Sequence, residues 1–506
     1  MLDANRPDLI MGIVGSGLMG SGIAQIAAQA GIAVRLYDVQ PEAAVQARAT
    51  IAQTLAKLAE KGKLTAAAAE AASTRISVVE TLEQLSGCHL VVEAIIEDIE
   101  AKRDLFQRLE AIVDEDCILA TNTSSLSVTA IAAACRLPGR VGGFHFFSPV
   151  PLMKVVEVID GLLGKAAVGD ALTALARRLG HTPVRAKDTP GFIVNHAGRG
   201  YGTEALRIAG EGIADFATID RLLRDTYGFR MGPFELLDLT GLDVSHPAME
   251  SIYNQFYQEP RFRPSPLTRQ RLAAGLLGRK SGRGFYLYRD DKAEQPSEPA
   301  PPARADRPVW LSRQNPMAHA QVAELLKILD APLITAERPG PDALCLVLPI
   351  GRDATTSALN EGLDPRRTLA LDPLWLQGRR TLMRTPLTAP AARDAAWALL
   401  AADGTPVSVI NDSPGFVVQR VVAAIVNIGC DIAQQGIAPP ADIERAVTLG
   451  LGYPKGPLGM GDALGPTTVL SILDALYAFY RDPRYRPSPW LTRRARLGVS
   501  LLTPEN

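Results

Sequence analysis

The chain is expected to fold as a doubly wound α/β sheet followed by an all-helical domain, then a degenerate α/β segment and a second copy of the helical domain. Three observations predict this. A glycine-rich turn, Gly15-Ser16-Gly17-Leu18-Met19-Gly20, lies between a strand-like run and an Ala-rich helical stretch. From Asp188 onward, strand patterning gives way to long helical stretches punctuated by Gly and Pro. That helical region then repeats, with Asp188-Thr-Pro-Gly-Phe192 returning 224 positions later as Asp412-Ser-Pro-Gly-Phe416.

A length of 506 residues is too great for one ordinary core and allows several domains. Hydrophobic residues at 47% and charged residues at 21% are those of a globular protein. The formal net charge of -1 leaves no global positive field for nucleic acid or an anionic membrane, though a local basic patch for a small anion is still allowed. Cys88, Cys117, Cys135, Cys345 and Cys430 are scattered without a CxxC pair, so unbridged thiols in a reducing compartment are expected and no metal is assigned. The polar start, MLDANRPDLI, is not a signal peptide, and no run reaches the roughly 20 apolar residues of a membrane span. A cytoplasmic protein is the expectation.

Residues 9–14 read as a buried strand, Ser21 to Ala30 as a helix and Ala33 to Tyr37 as a second strand, which makes a βαβ unit. Pro41 to Lys63 reads as one long helix. Leu90 to Ile96 and Cys117 to Ala120 read as further strands alternating with helices, which favours a parallel sheet. These elements place a first domain at 1–187 and an all-helical one at 188–289. Residues 290–308, rich in Pro and charge, read as a linker. Residues 309–410 show strand-like runs, LCLVLPI among them, but no glycine fingerprint, and 411–506 hold the repeat. The same spacing pairs Ile219 with Ile443, Gly228 with Gly452 and Asp238 with Asp462, and one residue less pairs PRFRPSP at 260 with PRYRPSP at 483. The helical domain is duplicated.

In GSGLMG the glycines serve a tight turn, close backbone approach to a pyrophosphate, and helix-on-strand packing, with the phosphates at a helix N-terminus. Asp38 stands 23 residues after Gly15, at the end of the second strand. A carboxylate there accepts hydrogen bonds from ribose hydroxyls and repels a 2′-phosphate, so a Rossmann-type domain binding NAD rather than NADP is expected.

The segment Gly143 to Glu157, GFHFFSPVPLMKVVE, carries the chemistry. His145 closes one strand-like run, two prolines turn the chain, and Glu157 lies inside the next run, Lys154 to Ile159. A carboxylate on one imidazole nitrogen leaves the other as a general base. A histidine among aromatics is more often a core residue, and its position after a dinucleotide fold moves the reading toward catalysis.

GSGLMG, Asp38, TNTSSL (Thr121 to Leu126), HFFSPVPLMKVVEVI and DTPGFIVN (Asp188 to Asn195) together resemble the L-3-hydroxyacyl-CoA dehydrogenase family. The repeated helical domain and GRKSGRGFY (Gly278 to Tyr286) resemble its long bacterial members, which act on 3-hydroxybutyryl-CoA or 3-hydroxyadipyl-CoA in fatty-acid or phenylacetate-type catabolism. The resemblance implies NAD as cofactor and an acyl-CoA substrate. It implies His145 as base, Glu157 as its support, Ser124 near the reacting oxygen and Asn195 holding substrate and histidine in line. It places Gly15, Gly17, Leu18, Met19, Gly20, Asp38, Glu97, Lys102 and Ser148 at NAD, and Thr54 and Lys61 at CoA. A solvated helix face is the competing reading for Lys57, Lys61 and Lys63.

Two positions depart from the family pattern. Ser148 stands where an asparagine contacts NAD, and His196 stands where an arginine follows Asn195; a surface or helix-face histidine is the expectation for the latter. The repeat has Gln419 at the place of Asn195 and no HFF…E segment before it, so residues 309–506 are expected to do no chemistry. They are expected instead to fill the place of a second subunit, making a pseudo-dimer within one chain, with a homo-oligomer also possible. The competing functions are a free-hydroxyacid dehydrogenase, which works through a lysine and lacks the CoA arm, and a catalytically inactive NAD-binding sensor.

Overall fold

The computed structural model describes residues 2–505. The chain divides into two compact units, one running to Ala197 and including Ile432–Gly456, the other comprising Gly198–Asp431 and Pro457–Thr503.

The first unit holds β1 (Ile10–Val14), β2 (Ala33–Tyr37), β3 (Ile76–Val78), β4 (Leu90–Glu93), β5 (Ile118–Thr121), β6 (Val141–Phe146), β7 (Val155–Asp160) and β8 (Thr182–Lys187). They form one sheet in the order β3-β2-β1-β4-β5-β6-β7-β8. All neighbours are parallel except β6 and β7. The expected parallel sheet departs at that step because residues 147–154 are too few for the crossover a parallel pair requires. Alternation along the strands supplies two cores. Leu90, Val92, Ile118, Ala120, Phe144, Phe146, Val156 and Val158 pack on one face, and Val91, Leu119, Val141 and Ile159 on the other.

Seven helices accompany this sheet: α1 (Leu18–Gln29), α2 (Pro41–Glu60), α3 (Ala66–Thr74), α4 (Ile99–Ile112), α5 (Val128–Ala132), α6 (Ala166–Arg178) and α7 (Val194–Ala197). The long helix expected to Lys63 ends at Glu60, and α3 is a separate helix whose N-cap Thr65 accepts a hydrogen bond from Ala68 N at 3.1 Å. Its nearly uniform alanine sequence carries no apolar period to announce it.

The second unit begins with helices, including Arg199–Gly210 and Leu242–Gln255, and a small hairpin of β9 (Tyr288–Arg289) and β10 (Lys292–Ala293). Residues 294–308 have no regular structure, whereas Lys292–Ala293, inside the expected linker 290–308, is strand. They are nevertheless pinned, since both Glu298 oxygens accept from the Arg379 guanidinium at 2.7 and 2.8 Å. A second sheet follows, in the order β11 (Val309–Leu311), β12 (Leu344–Val347), β13 (Thr368–Leu371), β14 (Arg380–Arg384) and β15 (Val407–Ile410). Its steps run parallel, parallel, antiparallel, parallel, the same sequence of senses as β4 to β8. This sheet is therefore the first one without counterparts of β1, β2 and β3, and those are the strands that carry the glycine turn.

The repeat also recurs in backbone detail. Gly191 and Phe192 have φ of 74° and 48°, and Gly415 and Phe416 have φ of 76° and 51°. In the first unit Lys187 N donates to Ile437 O at 2.9 Å, and in the second Asn411 N donates to Ile213 O at 2.9 Å. Each sheet's last strand is thus satisfied by the helical copy from the other half of the sequence. Among the described residues no single helix is long and apolar enough to cross a membrane.

Candidate active site

The glycine turn leads from β1 into α1. Gly15 has φ of 101°, and a side chain there would meet Ala94 O at 2.4 Å; one at Gly20 would meet Gly15 O at 1.8 Å, while Gly17 faces open space. Backbone packing thus requires the first and last glycines, and the middle one leaves the start of α1 accessible. No side chain caps that helix at Gly17, so its first N–H groups stay available to an anion. Asp38 Oδ2 accepts from Ser16 N and Oγ, both at 2.7 Å, and Oδ1 accepts from Gln40 N at 3.0 Å. Burial works against the charge, but these hydrogen bonds hold the carboxyl below its ordinary range. Asp38 closes the turn while remaining an anion at the end of β2. These residues fit a dinucleotide with free ribose hydroxyls.

β6 and β7 build the second part of the site. Their register sets His145 directly opposite Glu157, on the face away from Phe144, Phe146, Val156 and Val158. The His145 Nδ1 to Glu157 Oε2 distance is 2.7 Å, and both residues are buried. Glu157 Oε1 accepts from Ile193 N and Val194 N, each at 2.9 Å. Phe147 and Phe192 flank the imidazole at centroid distances of 4.4 and 5.8 Å. The carboxylate is anchored at both oxygens, and Nε2 is the ring nitrogen with no partner among the described residues.

Ser124 lies in the loop after β5. Glu97 Oε1 clamps that loop, accepting from Thr123 Oγ1 at 2.7 Å, Ser124 N at 2.9 Å, Ser124 Oγ at 3.3 Å, and Ser125 N and Oγ at 3.0 Å. Burial opposes the charge of Glu97, and Lys102 with these donors overcomes it, so the carboxyl stays below its usual range. Asn195 Nδ2 donates to Ser124 O at 3.4 Å. Ser124, Asn195, His145 and Glu157 therefore share one connected region.

Lys102, expected at the cofactor, is a correction. Its side chain is 1% exposed and bonds the buried Glu93, with Glu97 Oε2 at 3.4 Å. Its charge acts through Glu97, because α4 directs the side chain back under the sheet end. His196, expected on a surface, is fully buried. α7 is covered by the helix Pro440–Leu451 of the repeat, where Gly450 meets Val194, and a sequence of one half alone gives no sign of that cover. Ser148 is exposed at the end of the β6 connection. Thr54 and Lys61 lie two turns apart on the outer part of α2 and at its C-cap, with Thr54 Oγ1 spent on Thr50 O and Lys61 exposed.

Sequence reasoning missed three contributors. Asn122 Oδ1 accepts from Phe146 N at 2.8 Å and fixes the end of β6. Glu93 neutralises Lys102. Asp188 Oδ2 accepts from Ser127 Oγ and Thr129 N, both at 2.7 Å, tying the start of α5 to the DTPGF turn. The recurrence of Asp188 as Asp412, which accepts from Ala354 N at 2.7 Å, is the signal that would have found the last of these.

Comparison with known proteins identifies the family. The family model for the 3-hydroxyacyl-CoA dehydrogenase NAD binding domain matches residues 10–189, and that for the C-terminal domain matches twice, at 191–288 and 415–500. The chain is similar to 3-hydroxyadipyl-CoA dehydrogenase of Escherichia coli K12, at 38% identity over 96% of this chain and 97% of that protein. It is also similar to a probable 3-hydroxybutyryl-CoA dehydrogenase of Bacillus subtilis, at 43% identity over 55% of this chain and 96% of that one. Among solved structures, 3-hydroxybutyryl-CoA dehydrogenase from E. coli K12 superposes with a TM-score of 0.85 at 36% identity, covering 97% of this chain and 98% of that one.

Proposed function

The chain belongs to the 3-hydroxyacyl-CoA dehydrogenase family, and from that premise we propose how its residues divide the work. The activity is NAD-dependent oxidation of a 3-hydroxyacyl-CoA to the 3-oxoacyl-CoA. NAD, when bound, supplies the hydride acceptor. His145 Nε2 takes the proton of the 3-hydroxyl, and Glu157 stabilises the imidazolium that results. The two backbone donors on Glu157 Oε1 fix the carboxylate, so the imidazole keeps one orientation. Ser124 Oγ and Asn195 align the reacting oxygen, and the Glu97 clamp sets the position of Ser124. The α1 N-terminus and Asp38 hold the dinucleotide, Ser148 lies at its edge, Lys61 offers an ammonium to CoA, and Thr54, whose hydroxyl donates to Thr50 O, offers only an acceptor lone pair. The observation that carries this reading is the 2.7 Å His145–Glu157 contact on the β6–β7 step of the same sheet whose β1 leads into the dinucleotide turn. It is tested by oxidation of NADH with acetoacetyl-CoA in the parent, His145→Ala and Glu157→Gln.

For the acyl group we infer 3-hydroxyadipyl-CoA or 3-hydroxybutyryl-CoA, and a place in aromatic or fatty-acid breakdown. Similarity over nearly the whole length to a protein named for the first, and to a solved structure named for the second, supports both. A panel of 3-oxoacyl-CoA substrates including 3-oxoadipyl-CoA separates them. Five buried free thiols support a reducing, cytoplasmic setting.

We propose domain limits at 187, 308 and 410, at the end of β8, before β11 and at the end of β15, while the expected limit at 289 falls within the β9–β10 hairpin; the repeat forms an internal pseudo-dimer. Its support is one close approach between equivalent positions, the mark of a two-fold relation, with ion pairs between the two helical copies beside it. A side chain on Gly200 would meet Ile425 Cα at 3.0 Å and Ala424 C at 3.2 Å, and Gly200 and Ala424 are equivalent positions. Arg261 bonds Asp431, while its equivalent Arg484 lies 3.6 Å from Glu204. The buried Arg420 guanidinium bonds Glu204 at 2.7 Å and Glu211 at 2.8 Å.

A further inference from the structure

Strand register transfers the dyad positions to the second half. Lys187 and Asn411 are equivalent and pair with Asp160 and, by continuation of the β14–β15 ladder, with Arg384. Glu157 therefore corresponds to Thr381. Asp372 N donates to Thr381 O at 3.0 Å, continuing the β13–β14 pairing, so Asp372 holds the place of His145. It is buried, Gln419 Nε2 donates to its Oδ1 at 2.9 Å, and Oδ2 has no hydrogen-bond partner among the described residues. Gln419 Oε1 in turn accepts from Gly351 N at 2.8 Å. The residues at the His145 and Asn195 positions, Asp372 and Gln419, now brace the loop after β12, and no imidazole remains there.

Above that loop lies a cavity of about 1000 Å³, lined by the ends of β11 and β12 and by the helix Pro466–Tyr480. Its size is that of a small-molecule site, and its position at the carboxyl ends of parallel strands is where open α/β sheets bind ligands. Arg352 is the wall's one cation, against Asp353, Glu361 and Asp474. Asp353 is spent on Thr356 N and Oγ1. Glu361 accepts only from Ser312 Oγ, at 2.8 Å, and desolvation pushes both Glu361 and Asp474 above the usual carboxylate range. The same wall carries the exposed carboxylate of Asp474, the exposed carboxamide of Asn360 and the half-exposed ring of Phe479. A wall with excess negative charge and no glycine turn rejects phosphates, and so rejects NAD and CoA. Carboxylates and a carboxamide suit paired hydroxyls, and an aromatic face suits a ring.

We propose that this cavity is a second ligand site, binding without chemistry a phosphate-free, hydroxyl-rich molecule of nucleoside size.

The test is calorimetric titration of the full chain with nicotinamide riboside as probe, the first site being saturated with NAD and acetoacetyl-CoA. One probe molecule per chain is expected to bind. Ala478→Trp, an exposed wall position on the Pro466–Tyr480 helix, fills the cavity and weakens binding by about ten-fold or more. Asn360→Ala weakens it less, and both variants keep parental turnover of acetoacetyl-CoA with NADH. Absence of binding up to about 1 mM, equal affinity in Ala478→Trp, or a second NAD bound per chain overturns the proposal.

Discussion

His145 and Glu157 face each other across the one antiparallel step of the first sheet, 2.7 Å apart, with the glutamate's other oxygen held by Ile193 N and Val194 N. A base so supported loses its function in two distinguishable ways. His145→Ala should lower kcat by roughly 10²–10⁴-fold. Glu157→Gln keeps the shape but removes the charge, so kcat should fall more than KM changes. Steady-state rates with acetoacetyl-CoA and NADH decide this, and near-parental turnover in either variant refutes the assignment.

Lys102 is buried against Glu93, so its removal strands a carboxylate. Lys102→Met should cost about 3–5 kcal/mol of stability, read as a lower urea midpoint. Adding Glu93→Gln should restore part of the loss. A variant with parental stability and weakened NAD binding would instead make Lys102 a direct cofactor contact.

Asp372 gives a pH dependence of known sign. Burial pushes its carboxyl up to about 7 from the ordinary aspartate value of 3.8. Between those values the folded chain holds a proton that the unfolded chain has released, so stability falls as pH rises through that interval and levels off above about 7. Asp372→Asn keeps the acceptor for Gln419 and carries no proton to lose. It should melt above the parent at pH 8, by about 2–4 °C per kcal/mol gained, with the difference shrinking toward pH 5. A gap in Tm that does not vary with pH would contradict the assignment.

Removing residues 307–506 takes away the partners of Lys187 N and Arg185 N on β8 and the Arg420 partner of buried Glu204. The remaining chain should aggregate or dimerise through the exposed helical face, as light scattering would report. A monodisperse, fully active monomer would defeat the pseudo-dimer.

Much of this protein was legible because it is local. The glycine turn, Asp38 at the end of β2, the switch to helices after Asp188 and the 224-residue repeat are all patterns within short windows, and backbone sterics and side-chain periodicity act at that range. The His145–Glu157 contact was also within reach, since twelve residues and a turn fix an antiparallel register. Lys102 and His196 were misplaced for one shared reason: burial is set by what packs on a helix. For His196 the cover arrives from a helix some 250 residues further along.

The sequence by itself determined the cofactor fold, the dyad and the duplication. Only the tertiary structure decided that Lys102 works through Glu97, that the second sheet lacks β1 to β3, and that Asp372 and Gln419 hold the places of His145 and Asn195 beside a polar cavity. Those facts depend on strand pairing and helix cover between distant segments, and residue order encodes such pairings only through the packing free energy of the whole chain.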